Sequence, residues 1–168
     1  MCLQCNKKTL ILYEGRYGHS KRTAEILEEM IPDSKCTAAG AAPEELEEFE
    51  NLILVFGFLA YDTAKVLKPY LEKHREPLQE MKVGIVGVGL AKQALPAFGR
   101  IIEEPMGREA DRSWFVMGGY RVADLIPEDR KLLESFWSKK EAPLTDKEFF
   151  KEEEVRSVGK EVEAHLRK

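Results

Sequence analysis

The sequence predicts a three-layer α/β/α protein built on a doubly wound, five-stranded parallel sheet with strand order 2-1-3-4-5. Three observations carry this. Four apolar runs, "TLILY" (9–13), "NLILVFGF" (51–58), "MKVGIVGVG" (81–89) and "RSWFVMGG" (112–119), show no regular polar alternation, as strands buried on both faces do. Stretches of helical periodicity separate them, which calls for right-handed crossovers and helices on both faces. Glycine-bearing loops follow all four runs, at the strand ends where open α/β sheets bind ligands.

Each element has its own signal. After the first run, Ala24, Ile26, Leu27, Met30 and Ile31 recur near the helical period, predicting a helix over 20–31. Ser20 is its N-cap or a first-turn residue, and Pro32 ends it. "SKCTAAG" (34–40) is the weak fifth strand. "PEELEEF" (43–49) predicts a helical turn or two, with acids near the positive helix N-terminus. A helix over 64–75 contains Pro69, which should kink it or mark a restart. Another covers 95–102, begun or broken near Pro96, and a third covers 127–137. A polar connection, "SKKEAPLTD", leads to an acidic amphipathic helix from about 148 to the end. The expected organisation is one domain over 1–168, with an N-terminal arm (1–8) and an extra C-terminal helical segment from about 124.

Composition narrows the function classes. Of 168 residues, 43% are hydrophobic, enough for a full core, and the net charge of −4 argues against a nucleic-acid binder. No run approaches the roughly 20 apolar residues of a membrane span, so stable membrane insertion is not expected. "MCLQCNKK" lacks the apolar centre of a leader, and the expected localisation is cytoplasmic. Cys2 and Cys5 form a C-x-x-C, half of a four-ligand zinc site, and Cys36 is the sole further thiol. A reduced arm without metal is the expectation. The alternative is a site where Cys36 meets the arm at the amino end of the sheet.

In this arrangement the sequence resembles the flavodoxin superfamily, and looks most like the flavodoxin-domain group that includes the flavodoxin-type protoporphyrinogen oxidases. The stretches that carry the resemblance are "TLILYEGRYGHSKRTAEIL", "LILVFGFLAYDTAKVLKPYLEKH", "MKVGIVGVGLAK" and "FVMGGYR", which span most of residues 9–123. The resemblance implies FMN as cofactor. It also implies a phosphate loop after the first strand, of pattern hydroxyl-x-hydroxyl-Gly-x-hydroxyl. The matching positions are Gly15, Arg16, Tyr17, Gly18, His19 and Ser20. Gly18 and Ser20 fit the pattern, whereas Gly15 and Tyr17 stand where hydroxyls are usual.

Phosphate at a helix N-terminus is held chiefly by backbone N–H groups and the helix dipole, and glycines let the backbone wrap closely around it. Ser20 and Thr23 add hydroxyl donors. Arg16 or His19 can compensate for a missing hydroxyl, since a charge-assisted hydrogen bond is roughly twice as strong as a neutral one. Glu14 opposes a phosphate if it points into the crevice. The expectation is that it turns aside to pair with Arg16 or Lys21.

The resemblance places the flavin ring between the segments 57–63 and 87–92. There Phe58, Leu59, Ala60, Tyr61 and Asp62 face Gly87, Gly89 and Leu90. Tyr61 is the candidate to stack on the ring. Phe58 either lines the site or belongs to the core. Asp62 either sits near the ring or caps the following helix. Gly87 and Gly89 would let backbone N–H groups reach the flavin's polar edge.

The function expected is that of an FMN-binding redox protein, a soluble electron carrier or a reductase or oxidase. Its partner is a redox protein or a small-molecule electron acceptor. No catalytic acid–base constellation stands out. One alternative is protoporphyrinogen oxidase-like activity. The segment after the last strong strand is mixed to acidic, where docking on anionic lipid would want basic residues. The other is an interaction module without flavin, because one fold hosts many functions.

Overall fold

The computed structural model describes residues 8–58 and 64–168. Leu59, Ala60, Tyr61 and Asp62, and likewise Cys2 and Cys5, lie outside the described residues. Five strands, β1 (Thr9–Glu14), β2 (Ser34–Ala38), β3 (Asn51–Gly57), β4 (Lys82–Gly89) and β5 (Arg112–Met117), form one sheet in the order β2-β1-β3-β4-β5. All pairs are parallel, with Ile11 beside Ile53, Leu54 beside Ile85 and Val86 beside Trp114. The fold is flavodoxin-like, as the sequence predicts.

The helices are α1 (His19–Met30), α2 (Leu67–Lys73), α3 (Arg75–Leu78), α4 (Leu95–Met106), α5 (Pro127–Lys139) and α6 (Glu152–Arg167). Side chains alternate across the sheet because the strand period is two. Leu10, Leu12, Leu52, Leu54, Phe56, Val83 and Ile85 pack on one face with Leu67, Leu71, Ile102 and Met106 of α2 and α4. Ile11, Ile53, Val55, Val86, Val88, Trp114 and Val116 pack on the other with α1 and with Val155, Val158, Val162 and Leu166 of α6. Where both faces are covered, as along most of β1, β3 and β4, the strands are apolar at nearly every position, and this is why they carry no alternation in sequence. At the amino end, the buried Asn51 side chain donates to Thr9 Oγ1 at 3.1 Å and ties β3 to β1.

Three expectations need correction. Residues 43–49 form turns and no helix. Leu46 and Phe49 are buried as two pegs, and two anchors do not offset the cost of nucleating so short a helix. Pro69 kinks nothing: it lies in the first turn of α2, where a missing N–H costs no hydrogen bond. The break falls instead at His74, before α3. The helix starting at Leu95 runs past Ile102 and Pro105 to Met106, because Ile102 and Met106 anchor its last turn in the core. Gly107, at φ +70°, then closes it.

The chain between β5 and α6 folds over the carboxyl ends of the strands. It holds α5 and a short antiparallel pair, β6 (Gly119–Tyr120) with β7 (Lys147–Glu148). Strands of two residues leave no periodic trace in sequence. Trp137 donates its indole N–H to Tyr120 Oη at 2.8 Å, while its neighbour Phe136 is exposed. Among the described residues no helix is long and apolar enough to cross a membrane.

Candidate functional site

A cavity of about 190 Å³ lies at the carboxyl ends of β1, β3 and β4, beside the N-terminus of α1. Gly15, Arg16, Tyr17, His19 and Ser20 line it from the first loop, together with Glu14. Gly57, Val88, Gly89, Gly118 and Gly119 contribute from the other strand ends, Ala64 and Lys65 from the segment before α2, and Asp129 from α5.

The loop owes its path to two glycines. Gly18 precedes α1 at φ +88°, a left-handed conformation that suits glycine. A Cβ at Gly15 would stand 2.7 Å from Ser20 Oγ, so the backbone at 15 passes directly over that side chain. Ser20 is only 3% exposed. Helix α1 starts with no side-chain cap and no acidic residue in its first turn, which leaves its positive end facing the loop. The Thr23 hydroxyl is not a loop donor: it is buried and donates to His19 O at 2.7 Å.

The basic residues of this region are tied to acids of the C-terminal segment. Arg16 Nη1 donates to Asp129 Oδ1 at 2.6 Å, and Asp129 is 1% exposed. Tyr17 donates its hydroxyl to the other oxygen of Asp129 and accepts the Ile126 N–H at 3.4 Å. Burial first, and then the bond to Asp129, push the Tyr17 phenol up to about 12. His19 Nε2 meets Glu148 Oε1 at 3.0 Å, with its ring 5.2 Å from that of Phe150. Arg22 donates to Glu152 at 3.3 Å. The acidity of the C-terminal segment, unassigned in the sequence, thus matches the basicity of the loop.

Glu14 does turn aside, but toward α2. Its two carboxylate oxygens accept the backbone N–H groups of Val66 at 2.7 Å and Leu67 at 3.0 Å, and so cap that helix from another strand. The expected pairing with Arg16 or Lys21 overlooked this, because residues 14 and 66 come together only in the folded sheet.

The ring-binding residues inferred from sequence are distributed unevenly. Gly89 lines the cavity. Phe58 is buried, stacks on Phe98 at 4.8 Å between centroids, and covers both Gly87 and Gly89. A Cβ on either glycine would come within 2.6 Å of its ring, and one at Gly87 would also meet Leu95 at that distance. Leu90 follows β4, half-buried, outside the lining. Asp129 and Lys65 are lining residues that sequence reasoning did not single out, whereas Glu14, which it did, lines the cavity with its carboxylate turned to the start of α2.

Cys36 is half-buried on β2, and burial, followed by the nearby Glu28, pushes its thiol up to about 12. Among the described residues no cluster of three or more His, Cys, Asp or Glu is arranged to hold a metal ion.

No protein-family model matches the sequence, and no curated protein matches it by sequence. Solved structures similar to it include a Lactobacillus acidophilus NCFM flavoprotein in complex with FMN. That chain is 16% identical at TM-score 0.47, over 65% of this chain and 93% of that one. Fusobacterium nucleatum flavodoxin bound to flavin mononucleotide is 22% identical at TM-score 0.43, over 68% and 71%. The Trp repressor binding protein from Bacillus subtilis is 17% identical at TM-score 0.45, over 67% and 83%. Likeness at this level carries no inference about function, and the strand order establishes the fold by itself.

Proposed function

We propose that this chain is an FMN-binding redox protein, a soluble electron carrier or reductase. One observation carries the reading: the cavity joins the uncapped N-terminus of α1 to glycines 15, 57, 89 and 118 at four adjacent strand ends. This is the crevice that the switch-point rule assigns to a ligand in such sheets. The residues present fit the phosphate end of FMN. Gly15 and Gly18 shape a loop of backbone donors, and no acidic side chain stands in the first turn of α1.

A volume of about 190 Å³ is below the roughly 300 Å³ at which cofactor pockets begin. The cavity would therefore hold no more than the phosphate and ribityl chain, which would leave the ring to its mouth. Phe58 backs the β4 side of that mouth as a core residue. When bound, FMN would supply one- or two-electron transfer to a redox protein or a small-molecule acceptor. The chain's part is to hold the tail, orient the ring and limit access of water.

The test is the visible spectrum of the purified protein before and after FMN is added, followed by gel filtration. A flavin band that travels with the protein supports the reading. A second reading, a flavin-free interaction module, draws on Arg16 and His19 being already engaged by Asp129 and Glu148. Failure to retain added FMN would put that reading first.

A further inference from the structure

The side chain that enters the cavity from α5 is a carboxylate, an unexpected group for a phosphate cradle. Asp129 is 1% exposed, bonds Arg16 and Tyr17 of the loop, and lines the same cavity as Gly15 and Ser20. It lies in the first turn of α5, where the helix dipole favours a negative charge. Among the described residues the other acidic lining residue is Glu14, against Arg16 and Lys65 as cations, and the ring of His19 is paired with Glu148. Among those residues the acids that line the cavity equal its lysine and arginine in number. A phosphate dianion would add two negative charges beside a buried carboxylate that already engages Arg16. Like charges brought together out of water repel strongly.

We propose that Asp129 is a specificity-determining residue of this cavity. As the buried counter-ion of Arg16, it lowers the site's preference for a doubly charged phosphate, so that FMN holds little advantage there over a flavin with a neutral tail. The inference rests on the reading of the cavity as a flavin site, and it refines that reading by naming the charge class of the tail. Riboflavin carries the ring of FMN on an uncharged ribityl chain, so the two ligands differ only in the group that Asp129 senses.

The experiment is a fluorescence titration of the full chain and of Asp129→Asn with FMN and with riboflavin, at fixed ionic strength. Asparagine keeps the size and an acceptor for Tyr17 but removes the charge. The wild type is expected to bind FMN no more than about tenfold more tightly than riboflavin. In Asp129→Asn the preference for FMN should rise on the order of tenfold or more, with riboflavin affinity little changed. An unchanged or reduced preference in the variant overturns the inference and makes Asp129 a positioning residue for Arg16. A wild-type preference for FMN above about tenfold overturns it without any variant, and so decides the matter if Asp129→Asn does not fold. Binding of neither flavin overturns the flavin reading itself, an outcome distinct from a wrong ratio.

Discussion

Arg16 and Asp129, 113 residues apart in sequence, meet at 2.6 Å and fasten the loop after β1 to the first turn of α5. Tyr17 adds a second bond to the same carboxylate. Removing one partner of a fully buried ion pair costs roughly 3–5 kcal/mol. The Arg16 side chain retains 31% exposure and can recover water, so Asp129→Ala is expected to cost less, about 2 kcal/mol. Urea unfolding without flavin measures it. A loss below about 0.5 kcal/mol would mean that the pair holds nothing together.

Glu14 caps α2 through two backbone N–H groups, so its substitution should act on stability. Loss of a side-chain cap typically costs about 1 kcal/mol. Glu14→Ala is expected to lower stability by that amount, and Glu14→Gln by less, since the amide keeps one acceptor. Thermal unfolding of the two variants side by side checks the order. Equal effects would show that the one oxygen glutamine keeps contributes nothing.

Phe58 stacks on Phe98 and fills the space over Gly87 and Gly89. Truncating a buried phenylalanine costs about 3–5 kcal/mol through lost transfer energy and the cavity left behind. Phe58→Ala should fall in that range in equilibrium denaturation. A cost under about 1 kcal/mol would place the ring at a surface, not in the core.

Alkaline pH should destabilise the protein before Tyr17 and Tyr70 ionise in the native state. Burial is the largest cause that pushes both Tyr17 and Tyr70 up to about 12, from an unfolded value of 10.0. Above pH 10 the unfolded chain releases these protons while the native chain keeps them, so stability falls as pH rises. The contribution is complete below pH 10 and lost by about pH 12. Melting temperatures between pH 9 and 11.5 should decline, and Tyr17→Phe should flatten part of the slope. A decline identical in the variant would remove Tyr17 as a cause.

Much of the sheet was legible because burial on both faces writes itself into short windows. The runs at β1, β3, β4 and β5 are apolar at nearly every position, and even the weak "SKCTA" falls where the strand order requires β2. The loop glycines were legible for a similar reason: Gly18 needs a left-handed turn and Gly15 a close backbone approach, and both are local demands. The strap at 43–49 misled because its acids and two apolar residues fit a helix as well as a bridge. Only its docking through Leu46 and Phe49 separates the two.

The sequence by itself determined the order of the layers, the strands of the sheet and the crevice at their carboxyl ends, since each follows from periodicity within a dozen residues. Tertiary structure alone decided what fills that crevice. Asp129 on Arg16, Glu148 on His19 and Glu14 on the start of α2 are contacts between residues 52 to 129 positions apart. An acid or a base in sequence specifies a charge and leaves its partner open. The partner is chosen when the sheet brings β1 beside β3 and the chain after β5 folds back over the strand ends, because only then do the charges come within bonding distance.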